Sequence, residues 1–362
     1  MAYTNQVSAI TDIVANTLRD LGKDKFELIG TNLRSCITTS HLFKKDRIDF
    51  ASGYGFQRNV QYAIGTNARH AGPFSTDVVD IPTLSTNCRV DFIHADASYG
   101  FGYQEVLANR GDARIVDILL QRRAGAIANL CEELEAKFWS LPDASSTTDP
   151  FGLPYWIVYN ASTGFTGGNP SGYTSVGGIN PSTITQWKNY SFNYAAITAA
   201  DWLSKARVMH RKLQWRAPVK VPSYSKSEDT MLRIYTDADT EELMVQFCES
   251  RNENLGYTMG ENKATTVGGN ATGMGASGDT ITFKRSPIIE VPYLTDTGVS
   301  GLTKPMYFVD SNTFFAGVMK GDFFRETVKP EMPNQRNMGG VFYDISYNYM
   351  CTNRRRNGVC AQ

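Results

Sequence analysis

Apolar residues recur at three- and four-residue intervals through a long segment from about Arg110 to Trp139. This spacing places apolar side chains on one face of an α-helix. About 28 helical residues span roughly 40 Å, which is long for a globular domain. Asn109 or Asp112 is the predicted N-cap, and Leu141 and Pro142 end the pattern. The apolar positions are Ile115, Ile118, Leu119, Ile127, Leu130, Leu134 and Phe138.

The chain before this helix, from about Arg47 to Tyr103, has the pattern of β-structure. Aromatic and β-branched runs at 49–56 and 60–64 form one group and a run at 88–95 forms another, with turn-forming residues between them. Two extended segments with a loose middle predict a long hairpin rather than a compact domain. Such a hairpin cannot bury both faces against its own subunit, so it needs a neighbour.

Weaker patterns complete an α+β fold with an antiparallel bias. Residues 7–21 predict a short amphipathic helix, which either packs on its own subunit or orders as an arm on assembly. A connection rich in Gly, Ser, Thr and Asn follows the long helix, and Thr198–Leu213 is predicted as a second helix capped by Thr198 and Asp201. The remaining predictions are a strand near 231–235, a helix near 240–249, a glycine-rich loop at 256–279, a strand at 280–284 and C-terminal strands at 305–309, 328–331 and 341–350.

The balance of charge narrows the range of functions. Lysine and arginine total 36 and aspartate and glutamate total 36, so the formal net charge is zero. A protein whose work is DNA binding usually has a basic excess, because phosphate contacts supply most of its non-specific affinity. Neutrality instead favours self-association. The aromatic content of 12% fits either a large core or extensive subunit contacts.

The cysteines and the ends of the chain predict no special chemistry. The six cysteines are scattered, with no CxxC pair and no short Cys/His spacing, so we expect reduced thiols, no structural metal and no cofactor. The first residues lack the features of a signal peptide, and no run of 18 apolar residues occurs. The sequence therefore predicts neither secretion nor membrane insertion.

Four short segments stand in a distinctive order. They are Val90–Ala95 leading into Gln104–Gly111, then Phe151–Val158, then Val176–Ile179 with Trp187-Lys188-Asn189, and finally Asn353–Val359. Together they resemble the major capsid proteins of tailed bacteriophages, whose fold is shared with encapsulin shells and the herpesvirus capsid floor. The resemblance covers nearly the whole chain.

This resemblance implies a domain organisation. Residues 1–45 would be an N-terminal arm and residues 46–105 an extended hairpin, the E-loop. Residues 106–195 would form a P-domain with the long spine helix and the glycine-rich connection, residues 196–302 an A-domain, and residues 303–362 the return to the P-domain. In the family, the E-loop lies across the spine helix of a neighbouring subunit.

The resemblance also implies a function. The expected protein is not an enzyme but a virion subunit, made in the host cytoplasm, that assembles through pentamers and hexamers into an icosahedral shell around double-stranded DNA. Its expected partners are itself, a portal, a separate scaffolding protein and packaged DNA, which it would contact non-specifically, with no membrane. Inter-subunit contacts are expected at Tyr54, Phe56, Tyr62, Arg122, Glu132 and Glu133.

Other interpretations stay open at the level of sequence. An encapsulin-type shell around a cargo enzyme is one alternative, and a small-molecule enzyme using the loop at 256–279 is another. Gly273–Gly278 matches GxGxxG, but a strand-like segment follows it where a dinucleotide site needs a helix. Glu132–Glu135 would form a solvated helix face or meet a neighbour's arginine, and Arg354–Arg356 would contact DNA or pair with carboxylates. The histidines, His41, His70, His94 and His210, are too dispersed for a catalytic or metal cluster.

Overall fold

The computed structural model describes most of the chain. The described residues are 36, 41–44, 46–65, 68–70, 72–73, 76, 81, 83–108, 112–214, 232–252, 274–277, 280–284, 286–296, 302–329 and 337–362. The helix predicted at 7–21, the candidate cap Asn109 and most of the loop at 256–279 lie outside them.

The long helix is present as predicted. The helices are α1 (Tyr103–Ala108), α2 (Asp112–Trp139), α3 (Leu153–Trp156), α4 (Trp202–Leu213), α5 (Ala238–Asn252) and α6 (Pro292–Asp296). Helix α2 ends two residues before Leu141 and Pro142, because a proline at that point removes a backbone donor and clashes with the preceding turn. Within the described residues, no helix is both long enough and apolar enough to cross a membrane.

Helix α4 begins four residues later than predicted. The Asp201 carboxylate turns back and accepts hydrogen bonds from the amides of Ala195 (2.7 Å) and Ala196 (3.1 Å), so it does not cap the helix. The Thr198 hydroxyl accepts from the amide of Asp201 at 3.3 Å. These bonds hold residues 195–201 in a non-helical turn, and the helix starts only at Trp202.

The strands of the described residues form two sheets and a separate hairpin. They are β1 (Arg47–Phe50), β2 (Gly55–Gln61), β3 (Ser85–Asp91), β4 (Ile93–Gly102), β5 (Gly164–Gly167), β6 (Asn189–Asn193), β7 (Leu232–Thr236), β8 (Met274–Ser277), β9 (Thr280–Phe283), β10 (Ser286–Glu290), β11 (Met306–Asp310), β12 (Phe314–Met319), β13 (Arg325–Lys329), β14 (Met338–Cys351) and β15 (Gly358–Ala361). Strand β14 is the centre of the first sheet, with β4 along one side and β12 and β13 along the other, and β1 extends the sheet beyond β12. The second sheet has the order β5-β6-β15-β11-β7-β10-β9-β8.

The hairpin is confirmed but is shorter than the sequence pattern indicated. Strands β2 and β3 pair antiparallel, from Gly55 opposite Asp91 to Gln61 opposite Ser85. The flanking runs have other partners, since β1 pairs in parallel with β12 and β4 pairs with β14. Both of those pairings join residues more than 200 positions apart, which a local pattern does not reveal.

The buried side chains form two clusters. The first joins helix α2, the base of the hairpin, the first sheet and one face of the second sheet. The second lies on the other face of the second sheet, beneath helices α4 and α5. The last strand, β15, is inserted between β6 and β11, so the C-terminus completes a sheet begun much earlier in the chain.

Candidate assembly interface

The base of the hairpin is part of its own subunit's core. Phe56, Cys88 and Val90 are buried, and the Phe56 ring stacks on Phe50 with a centroid separation of 4.7 Å and contacts Phe92 at 5.2 Å. Phe56 was expected at a subunit contact. Its side chain is instead enclosed by its own subunit, where it fixes the hairpin to the body.

A two-glycine turn holds the base of the hairpin in place. Val176 and Ile179 exchange backbone hydrogen bonds of 2.9 and 3.1 Å across Gly177 and Gly178, which have φ values of +60° and +83°. Positive φ at both central positions is typical of the tight turn that glycine accommodates. The carbonyl of Gly177 then accepts from the amide of Arg89 on β3 at 3.1 Å. The glycine-rich connection is therefore the support on which the hairpin rests.

The contact at Gly177 leaves no space for a side chain. A β-carbon there would collide with the Cys88 sulfur and would approach the Trp156 ring to 2.9 Å. Burial raises the pKa of the Cys88 thiol to about 12, so it remains a neutral packing group. All six cysteines are free thiols.

Asn348 joins the base of the hairpin to the first sheet. Its Nδ2 donates to the carbonyl of Asp91 at 2.7 Å, and its Oδ1 accepts from the amide of Phe151 at 3.0 Å. The amide of Phe92 also donates to the carbonyl of Tyr54 at 2.9 Å. Asn348 therefore holds the β3 side of the hairpin base to the first sheet, and the Phe92–Tyr54 bond joins the two strands at that base.

The signature residues Trp187 and Asn189 belong to a buried network centred on Arg354. Arg354 donates from Nε to the carbonyl of Trp156 (2.6 Å), from Nη1 to that of Trp187 (2.9 Å), and from Nη2 to that of Gly168 (2.9 Å) and to Oδ1 of Asn189 (3.1 Å). The side chain is fully buried, and burial lowers the pKa of its guanidinium to about 10, which leaves it charged at neutral pH. Sequence analysis identified these segments but gave no sign that one arginine joins them.

The three C-terminal arginines have separate roles. Arg356 is buried and its Nε pairs with Asp310 at 2.7 Å, whereas the exposed Arg355 stacks on the ring of Phe165 at 4.4 Å. Pairing with a carboxylate in the sheet is thus confirmed for Arg356. The alternative of a DNA contact does not hold for Arg354 and Arg356, because both guanidinium groups are enclosed by protein.

Two large apolar side chains described beyond the paired strands of the hairpin are exposed. Ile64 and Ile81, beyond the ends of β2 and β3, have 79% and 92% of their surface exposed. Tyr54 at the base is 93% exposed, and Tyr62 is partly buried. Ile64, Ile81 and Tyr54 bury little of their apolar surface within their own subunit. These three side chains and Tyr62 remain candidates for contact with another subunit.

The expected contact residues on α2 differ in their exposure and in their bonds within the subunit. Arg122 makes a two-pronged ion pair with Glu105 at 2.9 and 3.2 Å and also donates to the carbonyl of Gly100 at 3.0 Å. Hydrogen bonding to Arg122 lowers the pKa of Glu105, so the pair is charged at neutral pH. Glu133 is exposed and Glu132 is partly buried. Arg122 therefore has a role within its subunit, while Glu133 faces outward.

The acidic turn of α2 is not a uniformly solvated face. Glu135 is fully buried, and its Oε1 accepts from Nε1 of Trp139 at 2.7 Å. Helical spacing predicts which positions share a face, but it does not reveal a carboxylate held inside the core by an indole.

The segment that matches GxGxxG does not have the geometry of a dinucleotide-binding turn. Met274–Ser277, inside the GxGxxG match, is a strand that pairs antiparallel with Thr280–Phe283, so no helix begins there. No group of three His, Cys, Asp or Glu side chains in that part is placed to hold a metal ion.

Solved structures of phage particles have the same fold as this chain. A chain of the cyanophage A-1(L) capsid asymmetric unit aligns with a TM-score of 0.62 and 13% identity over 94% of this chain and 96% of that chain. The capsid of a native GTA particle aligns with a TM-score of 0.54 and 10% identity over 95% of each chain. A chain from Mycobacterium phage Adephagia aligns with a TM-score of 0.51 and 11% identity over 96% of each.

The likeness is one of structure rather than of sequence. No protein-family model matches the sequence, and no curated protein matches it. The structural alignments nevertheless run through almost the full length of both partners, and a single shared motif would not produce that coverage. The chain therefore has the capsid fold of the tailed bacteriophages, as the order of its sequence segments predicted.

Proposed function

We propose that this chain is a major capsid protein that assembles through pentamers and hexamers into an icosahedral shell enclosing double-stranded DNA. The observation that carries the proposal is the hairpin, which is buried at its base and has exposed apolar side chains beyond its paired strands, in a chain whose fold matches a capsid chain over 94% of its length. The role is structural, with no catalytic step, and the protein would be located in the virion after synthesis in the host cytoplasm.

An exposed hairpin leaves backbone groups and apolar surface in contact with water until a partner covers them. A two-stranded ribbon presents unpaired backbone groups along both edges, which in isolation invite indiscriminate pairing. Ile64 and Ile81 add exposed apolar surface at its end. A neighbouring subunit that covers this end would bury that surface and pair those edges. Repeated around a closed shell, many modest contacts of this kind give a stable particle.

Helix α2 supplies a suitable receiving surface in this proposal. It is 28 residues long, and the exposed Glu133 and partly buried Glu132 lie toward its C-terminal end. We propose that the hairpin of one subunit crosses α2 of the next, with Tyr54 and Tyr62 among the contacting residues. The domain limits that go with this proposal are 1–45, 46–105, 106–195, 196–302 and 303–362. Within 46–105 only β2 and β3 form the hairpin, because β1 and β4 pair with β12 and β14.

The further partners follow from the same role. A shell that encloses DNA needs a portal, and a separate scaffolding protein would direct its curvature. The formal net charge is zero, and two of the three C-terminal arginines are buried. Contacts with packaged DNA would therefore be few and independent of sequence, which suits a container.

Expression of the chain alone and with a candidate scaffolding protein tests the proposal. Particles purified by size exclusion would be imaged by negative-stain electron microscopy, and their contents examined by nuclease protection and gel electrophoresis. Closed polyhedral shells or capsomer rings are expected. A stable monomer under both conditions would refute the proposal, and shells filled with a protein cargo would show an encapsulin instead.

A further inference from the structure

Helices α4 and α5 lie on the same face of the second sheet but over different parts of it. Their buried residues belong to one cluster, with Leu203 and Met209 from α4 and Met244 and Cys248 from α5. Helix α4 packs near β6 and α5 near β10. Four strand spacings separate β6 from β10, which is roughly 19 Å. The two helices therefore cover different strands of the same sheet.

The exposed face of α4 is basic. Arg211 and Lys212 stand exposed in its last turn, beside Val208, which is 42% exposed. Neither cation has an ion-pair partner among the described residues. Their position at the C-terminal end of a helix is favourable by itself, because the helix dipole stabilises cations there. The face nevertheless presents two uncompensated positive charges around an apolar side chain.

The face of α5 is acidic. Asp239 and Glu242 are exposed and Glu241 is half-buried. Burial, together with repulsion from Glu290 and Glu242, raises the pKa of the Glu241 carboxyl. No lysine or arginine of the described residues pairs with Glu241 or Glu242. These carboxylates are therefore close enough to repel one another, and a cation supplied from outside the subunit would relieve the repulsion.

We infer that the α4 face of one subunit contacts the α5 face of the next subunit around the capsomer ring, with Arg211 and Lys212 meeting Glu241 and Glu242. This inference rests on the proposed shell function and identifies the surfaces that join subunits within a ring. Two exposed cations on α4 and two carboxylates on α5 stand over different strands of the second sheet, and a head-to-tail contact between identical copies would bring these opposite charges together. A second copy of this chain therefore offers both the acidic partner for α4 and the basic partner for α5.

Two charge-reversal variants of the full chain test the contact. The first carries Arg211→Glu and Lys212→Glu, and the second carries Glu241→Lys and Glu242→Lys. Like charges then face each other around every homogeneous ring, so we expect the yield of rings and shells at about 0.1 M salt to fall by at least roughly tenfold. The chain carrying all four substitutions restores opposite charges at every contact and should recover assembly.

Mixing the two variants gives a sharper test because of ring parity. In a ring where the two variants alternate, the acidic α4 of the first variant meets the basic α5 of the second. At the next contact the native basic α4 of the second variant meets the native acidic α5 of the first, so every contact is attractive. A hexamer can alternate completely, whereas a pentamer must contain one repulsive contact. The mixture should therefore recover hexamers but few pentamers, while the fourfold variant recovers both, as counted by native mass spectrometry.

Controls separate this inference from the proposed function. Lys320→Glu reverses one exposed charge in the turn after β12 and should assemble normally, and circular dichroism should show every variant folded. The neutral pair Glu241→Gln and Glu242→Gln offers a milder version if the lysine variant fails to fold, and it should reduce the yield less. Wild-type chain that never assembles would overturn the shell proposal, and with it this contact. Wild-type assembly with undiminished reversal variants, or without rescue in the fourfold variant, would overturn the α4–α5 contact alone.

Discussion

The sulfur of Cys88, on the hairpin, occupies the space that a β-carbon on Gly177 would need, in the connection that follows the long helix. The neighbouring Arg89 amide donates to the carbonyl of the same glycine at 3.1 Å. The two residues are 89 positions apart in sequence, yet their contact sets where the hairpin leaves the subunit. It also explains why the residue at position 177 is a glycine.

Substitution Gly177→Ala should weaken this anchor strongly. The alanine would adopt a φ of +60° and its β-carbon would also collide with Cys88 and Trp156. We expect a loss of about 2–4 kcal/mol in the free energy of unfolding, combining backbone strain with overpacking. Chemical denaturation measures the loss, and hydrogen exchange should show reduced protection in β3.

Gly178→Ala is the matched control for this prediction. Gly178 has a φ of +83°, but a β-carbon there meets nothing within 4 Å. Only backbone strain remains, about 1–2 kcal/mol. Equal losses for the two variants would mean that the contact with Cys88 contributes nothing.

Arg354→Met should be among the most destabilising single changes in the chain. It leaves the carbonyls of Trp156, Trp187 and Gly168 without their buried charged donor. The expected loss is about 3 kcal/mol or more. Arg355→Met removes only an exposed contact with Phe165 and should cost less than about 1 kcal/mol. Thermal denaturation of both variants tests this difference in stability, and similar melting temperatures would contradict the central role of Arg354.

Removal of the hairpin end should separate folding from assembly. Deleting the whole of residues 53–86 would also remove Phe56, which belongs to the core. Replacing residues 63–83 with a short Asn-Gly turn keeps the buried base and removes Ile64 and Ile81. We expect a folded subunit whose yield of closed shells is lowered at least tenfold in electron micrographs. Normal shells from this variant would show that the hairpin end is not needed for closure.

Acid should destabilise the subunit through His210. The ring is buried against Phe283 and near Lys284, and burial followed by the lysine charge lowers the pKa of His210 from 6.5 to about 4. The folded state therefore binds fewer protons than the unfolded state between these values, so stability falls as the pH drops from about 6.5 to about 4. We expect a loss of about 1–2 kcal/mol over this range, because residual solvent contact reduces the full effect.

Denaturation at several pH values, with variants compared, tests the role of His210. His210→Gln should flatten the slope between pH 6.5 and 4 relative to the wild type. His94→Gln, at a half-exposed histidine, serves as the control. A slope that His210→Gln leaves unchanged would assign the acid sensitivity to other groups.

The sequence predicted elements whose signal is local. The apolar spacing of Leu130, Leu134 and Phe138 identified α2 nearly to its last residue, and the proline after it explained where it ends. The order of four segments predicted the capsid fold. Alternating and aromatic runs also identified the hairpin, although not the limits of its strands.

What the sequence did not predict depends on partners distant in the chain. Strand β1 was assigned to the hairpin because its residues are suited to any sheet, and only its pairing with β12 places it elsewhere. Glu135 and Arg354 are polar residues in the core, and their positions depend on acceptors and donors brought together by folding. Phe56 was expected at a subunit contact because an aromatic side chain suits an interface and a core equally well.

The most direct test of the account is a cryo-electron microscopy map of the particles formed by the full chain. We expect closed shells in which residues 62–84 of each subunit lie against helix α2 of a neighbouring subunit, close to Glu133. Closed shells whose hairpins contact only their own subunit, or particles that never close, would contradict it.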